Sequence, residues 1–247
     1  MQVLNLKLHE MPLFAGLKPA EIEKFVEAVG AVIRRYARGE RVLSAYAENA
    51  SIGLIIEGRA ETVTEDCWGK ESVSHTLGRG ELIGATSAVL SDTQYNISSI
   101  DALADVLVLW IPFRALLTSG VRLGRIHGIV MMHLLESFST KNVTLTEKIE
   151  LLSQKTLRER LIVYLLQREK RQSGKNGHVD VPGRVRLAQE LDCNRSALTR
   201  EITAMKREGL LDGEDDWLTL NKKAIGLAPF VFEKRNNASD KSKGEKP

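Results

Sequence analysis

The stretch from Val185 to Leu211 constrains this chain more than any other. Leu187, Ala188 and Leu191 fall at i, i+1 and i+4, which gives a first helix one apolar face. The pattern breaks at Asp192-Cys193-Asn194. Asn194 is a favourable N-cap, because its side chain can accept from an otherwise unpaired amide of the next turn. Leu198, Ile202 and Met205 then bury one side of a second helix, while Arg195, Ser196, Thr199 and Arg200 project from its other side. The spacing predicts a helix-turn-helix, in which the first turns of the second helix meet base edges in the DNA major groove. Arginine suits that place because its planar fork bonds both acceptors of a guanine. Taken alone, the same spacing also fits an amphipathic helix pair with a solvated basic face.

At 247 residues with 43% apolar content, the chain can build one large core or two smaller ones. No window of 18 residues is apolar and uncharged, and the N-terminus lacks a basic region followed by an apolar core. A cytoplasmic protein without membrane contact is therefore expected. Cys67 and Cys193 lie too far apart in sequence to form a zinc spacing, and two cysteines make no disulfide framework. Charge is unevenly divided. Residues 1–154 carry 15 Lys/Arg against 18 Asp/Glu, whereas residues 155–235 carry 17 against 12. A mildly acidic front joined to a basic back fits a sensor joined to a nucleic-acid reader.

The front half reads as short strands punctuated by glycine, such as Ile52–Ile56, Ala60–Thr64 and Val106–Ile111. Strands of this length and spacing predict an antiparallel β-roll of jelly-roll type. A short helix opens at Pro19, with acids in its first turn. No proline occurs from Phe113 to Val181, so a long helical stretch is expected there. Within it Met131, Leu135, Phe138, Asn142, Leu145, Ile149 and Leu152 follow a 4-3-4-3-4-3 spacing, the seam of a two-stranded coiled coil. Asn142 is the polar interruption that can fix register. A single helix packed on its own sheet would also accommodate several of these residues, but a palindromic DNA site calls for a two-fold protein.

A further helix runs from Thr156 to Lys170, with Leu157, Leu161, Tyr164 and Leu165 on one face. Beyond the helix-turn-helix, Leu210-Leu211 and Trp217–Leu220 flank a turn rich in acids, Asp212-Gly213-Glu214-Asp215-Asp216. A winged hairpin is expected, with its acidic tip packed on its own domain because phosphates would repel it. The order is thus an α+β chain with a β-roll over 1–120, a dimerisation helix over 121–153 and a winged helix-turn-helix over 154–232. Residues 233–247 have almost no apolar content and are expected to be a disordered tail.

This order of parts resembles the Crp/Fnr family of bacterial transcription regulators, over about residues 12 to 225. The resemblance rests on Leu13-Phe14-Ala15-Gly16-Leu17, Ile56-Glu57-Gly58-Arg59-Ala60, Gly80-Glu81-Leu82-Ile83-Gly84, and Cys193-Asn194-Arg195-Ser196 through Arg200. It implies a cyclic-nucleotide-type β-roll, a homodimer, double-stranded DNA carrying an inverted repeat as partner, and RNA polymerase as a further partner of an activator. The cyclic-AMP-binding members place a Glu for the ribose, then an Arg-Ser pair for the cyclic phosphate. Aligned without gaps, this chain has Ala85, Tyr95 and Asn96 there, and Leu145 where those members have a Thr contacting adenine.

No Lys or Arg occurs from Gly80 to Phe113, and a buried phosphate would lack a compensating cation. Cyclic AMP is therefore not the expected effector. Two cysteines cannot supply the four ligands of an iron–sulfur cluster, and Ala85 to Asn96 holds neither Cys nor His for a haem. A small organic effector against Gly84, Ala85, Thr86, Tyr95, Asn96 and Leu145 remains as the expectation, beside a closed roll with no ligand. In the DNA-reading helix, Ser196 stands where many members have a Glu that accepts from cytosine, so a different half-site is expected. Arg200 is expected to read guanine, Arg195 a phosphate or base, and Thr199 a phosphate or thymine methyl.

No enzymatic activity and no metal are expected. A metal cupin needs His and carboxylates clustered on adjacent strands, and the five histidines, at 9, 75, 127, 133 and 178, are scattered. A DNA-independent β-roll scaffold is the other alternative.

Overall fold

The computed structural model describes residues 6–69, 71–90, 96, 98–172 and 177–226, arranged in two compact units, Met1–Ser139 and Thr140–Pro247. The first unit opens with two 3₁₀ turns, Leu8–Glu10 and Pro12–Phe14, then helix α1, Pro19–Val29. Strands β1 (Val32–Tyr36), β2 (Arg41–Leu43), β3 (Ser51–Glu57), β4 (Ala60–Glu65), β5 (Glu71–Leu77) and β6 (Leu82–Ile83) follow. After the single-turn helix α2, Ala85–Val89, come β7 (Ser99–Ala102) and β8 (Val106–Pro112). These strands form two antiparallel sheets, ordered β1-β8-β3-β6 and β2-β7-β4-β5. The antiparallel roll expected from the spacing is the fold observed.

Strand β8 is buried along six consecutive residues, Val106 to Ile111, and pairs with β1 on one side and β3 on the other. Alternate side chains point to opposite faces, so such a run needs cover on both. Val106, Val108 and Trp110 pack inside the roll with Val42, Ile55, Ile83 and Ile100. Leu107, Leu109 and Ile111 pack outside it against Phe14, Phe25, Leu116 and Ile126. Gly53 sits opposite Trp110, and a Cβ there would lie 2.8 Å from the indole and 2.6 Å from Ile83. The missing side chain makes the room that the indole fills, and Trp110 Nε1 donates to Tyr36 Oη at 3.0 Å.

Two short helices, α3 (Phe113–Thr118) and α4 (Gly120–Leu123), lead into α5, Arg125–Leu152. The proline-free stretch is therefore not one helix. Gly124, at φ 50° and ψ −116°, breaks it, and the long helix begins at Arg125, later than the expected residue 121. Ile126, Val130 and Leu134 of α5 are buried in the first unit's core, with Met131 and Phe138 half-buried against it. Leu135, Leu145 and Ile149 are 57%, 63% and 69% exposed, and Asn142 and Leu152 are exposed as well.

In the second unit, α6 (Leu157–Arg171) starts at a capping box. Thr156 Oγ1 accepts from the Glu159 amide, and the Glu159 carboxylate accepts from the Thr156 amide. Then come β9 (His178–Asp180), α7 (Arg184–Glu190), α8 (Arg195–Arg207), β10 (Leu211–Gly213), β11 (Trp217–Leu220) and a last turn, α9, Lys222–Ile225. The strands form an antiparallel sheet ordered β10-β11-β9. Leu161, Tyr164, Leu165, Leu187, Leu191, Leu198, Ile202, Met205 and Leu218 make one core. The acidic β10–β11 turn is held to its own unit: Arg184 donates to Asp215 Oδ1 at 3.1 Å and to the Glu214 carbonyl at 3.2 Å. Lys206 Nζ donates to the Gly213 carbonyl. The tail expected to be disordered lies outside the described residues.

The turn from β3 to β4 offers a direct check of the roll. Gly58 there has φ +87°, and a Cβ would stand 2.0 Å from the Asp105 carbonyl oxygen. Gly58→Ala should destabilise the protein by roughly 2 kcal/mol or more, read as a drop in melting temperature. A melt superimposable on the parent's would mean that this turn does not approach Asp105.

Candidate functional site

The strongest candidate surface is the outer face of α8. Asn194 caps the helix, its Oδ1 accepting from the Ala197 amide at 2.8 Å and from Ser196 Oγ at 2.9 Å. Burial of Leu198, Ile202 and Met205 turns Arg195, Ser196, Thr199 and Arg200 outward, and all four are exposed. Their hydrogen bonds stay local: Thr199 Oγ1 donates to the Arg195 carbonyl at 2.9 Å and Arg200 Nε to the Ser196 carbonyl at 3.4 Å. Among the described residues, neither Arg195 nor Arg200 meets a carboxylate. Two uncompensated guanidinium groups on one rigid face attract an anion.

Four residues, Leu191 to Asn194, join α7 to α8, and Asp192 takes the left-handed conformation at φ 52°. Arg160 of α6 donates to the carbonyls of Leu191 and Asp192, both at 3.2 Å, which satisfies acceptors left over at the end of α7. Glu190 accepts from Tyr164 Oη at 2.8 Å and from Arg168 at 3.0 Å. Burial raises the Glu190 pKa, but the Tyr164 hydroxyl and the Arg168 charge outweigh it and hold the carboxyl below its ordinary value. Burial also pushes the Tyr164 hydroxyl and the Cys193 thiol up. Neither Arg160 nor Glu190 stood out in the sequence, and Tyr164 did so only as part of an apolar face, because these bonds join residues 22 to 32 positions apart.

The second candidate is the segment around α2. Gly84 caps it at φ +63°, where a Cβ would meet Asn49 Nδ2 at 2.6 Å. Ala85 and Ser87 are buried and Thr86 is exposed. Asn49 Nδ2 donates to the carbonyls of Ser51 and Gly84 at 2.9 and 2.8 Å, and reaches Ser87 Oγ at 3.2 Å. Ser87 Oγ donates to Asn96 Oδ1 at 2.6 Å, and Asn96 Nδ2 donates to the carbonyls of Ser44 and Ala47. Asn96 is thus buried and bonded within its own chain, and it fastens α2 to the loop before β3. Asn49, which the sequence reading missed, joins the same network; its one local sign is its position two residues before a strand. Tyr95 lies outside the described residues. Leu145 lies on α5 in the second unit. No cluster of three His, Cys, Asp or Glu able to hold a metal occurs among the described residues, and no described helix is long and apolar enough to cross a membrane.

Comparison with known proteins gives this arrangement a class. Residues 33–118, from β1 through α3, match the cyclic nucleotide-binding domain. The structure is similar to the catabolite activator protein of Thermus thermophilus, with 24% identity over 88% of this chain and 100% of that one, at a TM-score of 0.50. It is similar to CLP of Xanthomonas campestris, described as a c-di-GMP-responsive global regulator, with 17% identity over 82% of this chain and 99% of that one, at a TM-score of 0.51. It is also similar to CprK complexed with OCPA, with 16% identity over 83% of this chain and 94% of that one, at a TM-score of 0.57. Among curated proteins, none matches. At these identities the likeness to solved structures is one of fold. The first unit therefore matches a cyclic nucleotide-binding domain, and the fold of the chain is similar to that of these three proteins.

The Asn49–Ser87–Asn96 network sets an expectation for stability. Ser87→Ala removes the donor to a buried amide oxygen and should cost about 1–3 kcal/mol, read from the urea midpoint. A shift too small to resolve would show that water reaches Asn96 and replaces the serine.

Proposed function

We propose that the protein is a homodimeric, sequence-specific DNA-binding transcription regulator whose second unit is a winged helix-turn-helix. One observation carries this: α8 presents Arg195, Ser196, Thr199 and Arg200 on a single exposed face, with no carboxylate partner for either arginine among the described residues. In this reading α8 enters the major groove, Arg200 bonds a guanine, and Ser196 contributes a donor or acceptor that suits more than one base. The β10–β11 hairpin is the wing. Its Asp215 carboxylate is paired with Arg184, which suits a wing that packs on its own unit and leaves the phosphates to other residues.

Dimerisation is supported by α5. The buried side of that helix is taken by Ile126, Val130 and Leu134, yet Leu135, Leu145, Ile149 and Leu152 remain exposed along the expected seam. An apolar row of that kind on one chain is explained by the same row on a second. The chain would work in the cytoplasm, and if it activates, RNA polymerase is a further partner. It is not proposed to be an enzyme.

The first unit is proposed as a sensor for a small organic effector other than cyclic AMP. Ala85 is buried where a ribose-binding Glu would stand, and no cation lies between Gly80 and Phe113 to compensate a cyclic phosphate. Of two proteins of this fold, one is described as c-di-GMP-responsive and the other as complexed with OCPA. Asn96 has spent its amide inside the chain, so Thr86 and Tyr95 are the better contacts in this segment.

Two measurements test the proposal. Arg200→Ala should cost about 1–3 kcal/mol on an inverted repeat whose half-sites lie roughly 34 Å apart, and should relax the choice of one base pair. Equal losses on specific and random duplex would reduce Arg200 to a phosphate contact. Leu145→Glu puts two like charges into the seam and should convert the dimer to monomer in sedimentation at micromolar concentration. A dimer unaffected by this change would remove Leu145 from the interface.

A further inference from the structure

Beside α8 lies an ion-pair arrangement that none of the roles above uses. Arg158, in the first turn of α6, donates from Nε to Glu201 Oε1 at 2.6 Å. The same guanidinium donates from Nη1 and Nη2 to both oxygens of Glu208, at 2.6 and 3.0 Å. Glu201 lies within α8 and Glu208, seven residues or about two turns on, is the residue that caps its C-terminal end. One planar fork therefore grips α8 at two heights. The hydrogen bonds that Arg158 donates to Glu208 and then Glu201 push its pKa up, and the same bonds hold the Glu208 carboxyl below its ordinary range.

Partly exposed pairs add little to stability, so the clamp needs another reason to be built this way. The apolar packing of Leu198, Ile202 and Met205 selects which side of α8 is buried, but such contacts are non-directional. A helix with its side chains has a radius of about 5–6 Å, so rotation by about 10° moves its rim by about 1 Å. Hydrogen bonds to base edges tolerate only a few tenths of an ångström. Glu201 directly follows Arg200, so any roll of the helix that misplaces Arg200 must also break the Arg158 fork.

From this geometry we infer that Arg158 is a positioning residue that sets the rotation of α8 and thereby sharpens base discrimination. The inference rests on the DNA-reading role of α8 given above. It separates affinity into two parts. Phosphate contacts tolerate a small rotation of the helix, whereas two-pronged base contacts do not.

The test uses full-length protein and two duplexes of equal length, one selected by the unaltered protein from a randomised pool and one of random sequence. Arg158→Lys keeps the charge and loses the fork. It should weaken binding to the selected duplex about tenfold, the scale of one lost two-pronged contact, and change random-duplex binding by less than about twofold. Glu208→Gln should move the same ratio in the same direction, and it covers the case in which a change at Arg158 impairs folding. Equal losses on both duplexes, tracking a fall in melting temperature, would make the clamp merely structural and overturn the inference. An unchanged ratio in both variants would also overturn it and leave the DNA-reading role intact. If the unaltered protein enriches no sequence at all, the DNA-reading role fails first and the clamp's role goes with it.

Discussion

The antiparallel pairing of β3 with β8 is the constraint from which the first unit follows. Both strands are buried on two faces, so neither can be stable until a second sheet covers one side and helices cover the other. The covering sheet closes the roll around Trp110, and the covering helices include the N-terminal part of α5. Once those layers are in place, the segment around α2 has its backbone fixed by Asn49, Ser87 and Asn96. Its shape is set by hydrogen bonds among its own residues, and this limits which polar groups are left to meet a ligand.

In the second unit a smaller version of the same logic operates. The apolar sides of α6, α7 and α8 close on one core, and the groups on their rims then settle the finer geometry. Arg160 holds the turn between α7 and α8, Glu190 gathers Tyr164 and Arg168, and Arg158 grips α8. Apolar packing chooses the arrangement, and directional bonds from arginine remove the remaining slack.

Much of this was legible in the sequence, for identifiable reasons. The β-branched run before Pro112, the glycine-punctuated strands and the Asn194 cap are local signals, and each produced the element expected. The outward face of α8 was readable because helical period alone separates Leu198, Ile202 and Met205 from Arg195 and Arg200. The start of α5 was not, since Gly124 is one of several glycines and only its backbone angles mark the break. The fate of Asn96 was also hidden. A polar residue in a loop looks available until Ser87 and the carbonyls of Ser44 and Ala47 are brought to it by folding. Arg158 escaped for the same reason, with partners 43 and 50 positions away.

Among the described residues, the side-chain hydrogen bonds of Ser196, Thr199 and Arg200 stay within α8 and its Asn194 cap. Substitutions at exposed sites of this kind change stability by no more than about 0.5 kcal/mol. The inward residues, by contrast, are tied to a core that resists even small changes of volume. Evolution is therefore free to rewrite Ser196 or Thr199 without endangering the scaffold that presents them. A duplicated copy of such a gene could acquire a new preference in a few steps, each as foldable as the last. The division of one helix into a fixed side and a free side makes the protein easy to redirect.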